Sequence, residues 1–154
     1  MILPITLTIA GAAALLNIWL GRRVGVMRLA HKISIGDGGN EALTARMRAQ
    51  ANFIEYTPFV LILIFLIELA DGSKLWLWII GVAYILARIA HGFGMDRRHP
   101  DPLRLRMIGI IVTGLIMLGL ALYAIALPYI HHEPARVNYA EAPSSSWSGG
   151  MKAS

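Results

Sequence analysis

Arg48, Asn52 and Glu55 stand four and then three residues apart, with Tyr56 beside them, at the head of an apolar segment that runs on to Leu69. At about 100° per residue this spacing, continued by Phe59, sets them on one stripe of a helix. Arginine offers a planar fork of donors, asparagine donates and accepts, and an ionised glutamate only accepts. Such a stripe could hold a zwitterionic ligand, with arginine taking a carboxylate and glutamate an ammonium or amide proton. Unpaired polar groups are costly in a membrane-spanning helix, so the stripe should face another helix, another subunit or a wet cavity. A plainer alternative is that Glu55 pairs with Arg88 and ties two helices together, a link worth about 1 kcal/mol. Several polar types on one stripe argue for more than that.

A second set, Tyr84, Arg88, His91 and Met95, repeats the helical spacing. Arg88 lies too deep in its apolar segment to reach water easily and needs a partner such as Glu55. His91 and His99 have no further ligands around them, and His131 and His132 lie at the other end of the chain, so no metal site is expected. Arg104 and Arg106 are two residues apart, roughly 200° around a helix, so only one of them can face a given site. Arg106 shares its face with Gly109 and Thr113, small residues that admit a neighbouring helix, which would leave Arg104 towards lipid headgroups, though from the sequence alone either arginine could be the one that faces outward.

The elements that must position these residues follow from composition. Of 154 residues 56% are hydrophobic and 15% charged, with a mean hydropathy of +0.60, far more apolar than a soluble domain requires. An integral membrane protein is expected. A net charge of +5 could suggest nucleic acid, but the arginines gather at the ends of apolar runs, which is a topology signal, and no nucleic-acid partner is expected. Without cysteine there is no disulfide framework, no thiolate metal site and no cysteine nucleophile, so any thiol chemistry must use a thiol brought by the substrate.

Four apolar runs are long enough to cross a bilayer as helices: Ile2 to Leu20, about Arg48 to Ala70, Leu75 to about Met95, and Leu103 to about Ile130 with Pro128 at a fraying end. The first lacks the basic leader and cleavage site of a removable signal and is expected to be retained. A polar connection from Gly21 to Met47 carries the Gly36-Asp37-Gly38-Gly39 turn, and Glu41 to Met47 should extend the second helix outward. The Asp71-Gly72-Ser73-Lys74 turn permits only an antiparallel neighbour. The sequence thus predicts an all-α membrane protein, an antiparallel four-transmembrane-helix bundle over residues 1–130, with a disordered tail over 131–154 rich in Pro, Ser and Gly. Ten Lys and Arg flank the first and third connections against three on the opposite side, which predicts those connections in the cytoplasm and both termini outside it.

With four spans and the run Arg48-Ala49-Gln50-Ala51-Asn52-Phe53-Ile54-Glu55-Tyr56-Thr57-Pro58 at the head of the second, the chain resembles the MAPEG family, the membrane-associated proteins of eicosanoid and glutathione metabolism. The run is similar to that of the leukotriene C4 synthase and microsomal glutathione transferase branches, Arg88-x-x-His91 is similar to the prostaglandin E synthase branch, and the Ser34 to Gly39 connection looks more like bacterial members, which implies a bacterial inner membrane. The resemblance covers about residues 1–130 and implies a homotrimer with glutathione, as co-substrate, held between neighbouring subunits at the cytoplasmic ends of the helices. Carried over by position, it implies that Arg48, Asn52, Glu55 and Tyr56 contact glutathione with Gln50 as a helper, that Arg88 and His91 line the same pocket, and that Arg28 joins them on a looser match. It further implies that an arginine near the start of the fourth helix, Arg106 or alternatively Arg104, stabilises the glutathione thiolate. A free thiol has a pKa of about 8.5, and an adjacent guanidinium lowers it by favouring the anion. Met95 departs from the tyrosine of the leukotriene C4 synthase branch.

The leading expectation is therefore a membrane-embedded glutathione transferase acting on a lipophilic electrophile that arrives through the bilayer lipid. The alternative is a non-catalytic module that binds glutathione or a lipid. A transporter subunit fits less well, because the chain carries no internal repeat and no pair of broken helices.

Overall fold

The computed structural model describes residues 2–96 and 102–130. The described residues form four helices, α1 (Pro4–His31), α2 (Glu41–Asp71), α3 (Leu75–Gly94) and α4 (Pro102–Ile130), all long and apolar enough to cross a membrane. Their ends pair in alternating sense. Thr6 meets Glu68 and Arg46 meets Arg23, so α1 and α2 are antiparallel. Thr57 meets Tyr84 and Gly94 abuts Arg106, so α3 and α4 each reverse direction again. Helices α2 and α3 form the central pair, with α1 and α4 on either side of it and out of contact with each other among the described residues.

One of the expected boundaries moves. α1 does not end with its apolar run at Leu20 but continues through the polar residues to His31, where Lys32 adopts a left-handed φ of 54° and its N–H closes on the carbonyls of Arg28 and Leu29. Arginine, methionine and leucine favour helix even when no lipid surrounds them, so hydropathy alone misses these turns. The connection is thereby cut to residues 32–40, in which Asn40 Oδ1 caps α2 by accepting from the Leu43 N–H at 3.0 Å. At the other end α4 runs through Pro128 to Ile130, where its end was expected. Residues 131–154, for which disorder was expected, lie outside the described residues, as do Arg97, Arg98 and His99.

The core is thin, as expected where lipid rather than water surrounds the protein. One buried cluster joins Ile5, Ile9, Ile64, Ile67, Leu77 and Leu120, and a second joins Ala13, Leu16, Leu20, Ala49 and Phe53. Leu15, Ile18, Leu115, Leu118 and Ile125 face outward.

The core also holds Glu68, which is only 2% exposed. α1 has no side-chain cap of its own, and Glu68 supplies one from α2. Its carboxylate accepts from the N–H groups of Ile5 at 3.0 Å and Thr6 at 2.7 Å, from the Thr6 hydroxyl at 2.7 Å and from the Ser73 hydroxyl at 2.6 Å. Negative charge at a helix N-terminus that satisfies first-turn donors is doubly favourable. Glu68→Ala should destabilise the protein by about 2 kcal/mol, read as an earlier loss of helicity in mixed-micelle denaturation, because it leaves those buried N–H groups without a partner. Glu68→Gln should recover part of the loss.

Candidate functional site

Three helices converge at the basic end of the bundle. The N-terminal half of α2 supplies Arg48, Asn52 and Glu55, the last turn of α3 supplies His91, and the first turns of α4 supply Arg106, and all five line one small cavity of about 100 Å³ together with Met95 and Ile110. It adjoins a wider groove of about 660 Å³, bounded by Arg48, Met95 and Arg106 again and by Asp37, Glu41 and Thr44. That volume falls within the range of about 300–1,000 Å³ common for small-molecule sites.

Two glycines make this convergence possible. A Cβ on Gly109 would stand 2.6 Å from the His91 Cβ and 2.8 Å from the Ala87 carbonyl oxygen, and one on Gly94 would overlap the Arg106 backbone. Both contacts are with atoms that cannot swing away, so α3 and α4 cross backbone to backbone here, as small residues permit in membrane bundles. Gly109→Ala should therefore separate the helices at the site, costing about 2 kcal/mol as an overpacked contact, visible as a lower melting temperature in detergent.

Beneath the cavity lies Arg88, which is 2% exposed. Its expected partner was Glu55, and here the structure corrects the sequence reading. Arg88 Nη1 donates to Asn52 Oδ1 at 2.9 Å, the guanidinium lies 5.6 Å from the Phe53 ring centre, and Glu55 is an exposed residue on the cavity wall. One helical turn explains the difference: Asn52 is level with Arg88, as Thr57 is with Tyr84, whose hydroxyls lie 2.8 Å apart. Glu55 points along the cavity instead of across the helix pair. Among the described residues Arg88 Nε and His91 Nδ1 are buried without a partner.

The remaining predicted residues are placed differently. Tyr56 is half-buried and lines neither cavity. Gln50 turns towards α1, where its Nε2 would lie 3.1 Å from a Cβ on Gly21. Arg28 sits in the last turn of α1 and donates to the Ser34 carbonyl at 3.2 Å and towards Met47 Sδ at 3.5 Å. Of the two α4 arginines, Arg106 lines both cavities and Arg104 lines neither.

The first connection contributes what the sequence reading passed over. The Asp37 carboxylate accepts from the Gly39 N–H at 3.0 Å and the Thr44 hydroxyl at 2.9 Å, and these bonds hold it below the usual carboxylate range. This Asx turn brings the loop to the groove, so that Asp37 and Glu41 line it together with Arg48 and Arg106. The signal was present in the Asp37-Gly38-Gly39 order, but a turn does not reveal which way it lies.

Comparison with known proteins bears on this arrangement. The inner membrane protein YecN of Escherichia coli K12 is 29% identical over 73 residues, 47% of this chain and 55% of that protein, and the YecN of Escherichia coli O6:H1 matches to the same extent. The chain thus spans about half the length of these curated relatives. The profile of the MAPEG family matches residues 6–126, from the first turn of α1 nearly to the end of α4 and across every residue of the site. With four helices of membrane-spanning length and a match over most of its sequence, this integral membrane protein belongs to the MAPEG family.

Proposed function

We propose that the protein is a glutathione-dependent transferase of the inner membrane, in which Arg106 stabilises the glutathione thiolate for attack on a lipophilic electrophile. The observation that carries the reading is the convergence of Arg48, Asn52, Glu55, His91 and Arg106 from three helices on one cavity beside an open groove. Arg48 suits a carboxylate of the tripeptide, Glu55 its ammonium group or an amide N–H, and the Asn52 amide a backbone group. Arg106 stands where the two spaces meet, so a sulfur held there is open both to the polar cavity and to the lipid side. In the reaction the thiol proton leaves to water, the sulfur bonds to the electrophilic carbon, and a halide departs or an opened epoxide oxygen takes up a proton.

A homotrimer fits the residues that turn away. Arg28 and Gln50 lie on the α1 side of α2, out of reach of this protomer's cavity, and would serve glutathione only at a neighbouring copy's site. The test is an assay of purified protein in detergent with a chromogenic aryl halide. Saturable, glutathione-dependent conjugation is expected, and heat of glutathione binding with no turnover would make the protein a binding module instead.

The basic end is assigned to the cytoplasm, with the chain ends opposite. Because the chain has no cysteine, Gly36→Cys should stay unlabelled by an impermeant maleimide added to intact cells, and Ser73→Cys should be labelled. The reverse pattern would invert the topology.

A further inference from the structure

We propose that a second pocket, formed by Trp19, Arg22 and Arg23 of α1 and Arg46 of α2, binds the phosphodiester headgroup of an anionic membrane lipid. The pocket has a volume of about 230 Å³, opens on the flank of the bundle away from Arg48 and Arg106, and shares no lining residue with the candidate glutathione site.

Its construction departs from a scatter of surface arginines. Arg23 is fixed, with Nη1 donating to the Gly92 carbonyl at 2.7 Å, Nη2 to Asp96 at 3.0 Å, and its guanidinium lying 4.7 Å from the Trp19 ring centre. Arg46 is fixed as well, donating to the Arg23 carbonyl at 3.2 Å and to the same Asp96 oxygen at 3.4 Å. Two guanidinium groups thus converge on one carboxylate oxygen, and each of them has five N–H donors, more than these contacts use. Arg22 adds a third positive charge on the same wall, exposed and outside the ion pairs found among the described residues. Three guanidinium groups and one carboxylate leave the pocket with an excess of positive charge.

Position selects the ligand. The pocket lies where the apolar run of α1 ends, with Trp19 at the level favoured by interfacial aromatics. Immediately below it on α1, Ile18 is 67% and Leu15 71% exposed, and Val26 on the pocket wall is 53% exposed. A phosphate held by Arg22 and Arg46 would set its acyl chains down this apolar strip. Arginine forks match phosphate oxygens in two-point contacts, and basic pockets between helices at the membrane surface suit anionic headgroups. A zwitterionic headgroup would bring its own cation against an already positive wall.

Tryptophan quenching tests this on the full-length protein in detergent, titrated with brominated phosphatidylglycerol or brominated phosphatidylcholine. The Trp19 signal is taken as the difference between the native protein and Trp19→Phe. Phosphatidylglycerol should quench it at a lower mole fraction than phosphatidylcholine. At roughly fivefold in affinity per arginine near the surface, Arg22→Gln should weaken the preference about fivefold and Arg22→Gln/Arg46→Gln should abolish it, while the lysine pair should retain it. Arg22 belongs to no ion pair among the described residues, so its single variant reads the site even if the double variant unfolds. Equal quenching by both lipids, or a preference undiminished in Arg22→Gln, would overturn the proposal. Protection of the native protein by inorganic phosphate as strong as that by phosphatidylglycerol would overturn the lipid assignment in favour of a free phosphate anion.

Discussion

Replacing Arg106 with alanine should lower the rate of glutathione conjugation at neutral pH by about eight- to 25-fold, while the glutathione KM changes only a few-fold. The magnitude follows from the thiol. At its free pKa of about 8.5 only a few per cent is thiolate at pH 7, and a guanidinium within contact range lowers a thiol pKa by about one to two units. The sign gives the sharper test. If Arg106 favours the anion as proposed, the thiolate in the native protein should form at lower pH and the rate should level off near neutrality. The alanine variant should keep gaining rate as pH rises through the 8 to 9 range, and the deficit should shrink there. A defect of packing alone would not recover with pH. Arg106 lines both the small cavity and the groove whereas Arg104 lines neither, so Arg104→Ala should not show this pH-dependent deficit. Native rates in both variants would sink the thiolate mechanism.

Much of this arrangement is legible in the sequence, because lipid permits few backbone solutions. Apolar runs of membrane-spanning length must be helices, and the short link before Leu75 must reverse the chain, so four helices in alternating sense follow directly. Helical spacing likewise placed Arg48, Asn52 and Glu55 on one wall, and the face shared by Arg106, Gly109 and Thr113 marked the side of α4 that packs. What spacing cannot supply is the vertical register between helices. Glu55 and Asn52 differ by three residues, about 4.5 Å of rise, and that offset decides which of them reaches Arg88. Hydropathy failed at His31 for a related reason, since it measures affinity for lipid and not for helix. Glu68 left no signal at all: a glutamate near the end of a span reads as an interfacial residue, and only the packing of α1 against α2 makes it a cap.

The second large effect concerns Asn52, whose two ends do different work. Its Oδ1 accepts from Arg88, which leaves the Nδ2 group as the end that could donate to a ligand in the cavity that Asn52 lines. Asn52→Leu should cost about 2–3 kcal/mol of stability, because it strands a buried guanidinium. Arg88→Met/Asn52→Leu should be more stable than Asn52→Leu alone, since the charge is then gone, and a double-mutant cycle should report a coupling of about 1–2 kcal/mol. Strictly additive losses would mean that the Arg88 to Asn52 bond adds nothing to stability. Asn52→Asp separates structure from binding: the carboxylate still accepts from Arg88, so stability should hold, but the two amide donors are lost. Glutathione affinity should then fall about tenfold, the cost of leaving a ligand acceptor without its donor. Full affinity in Asn52→Asp would leave Asn52 as support for Arg88 alone, and the ligand would have to be held by Arg48, Glu55 and Arg106.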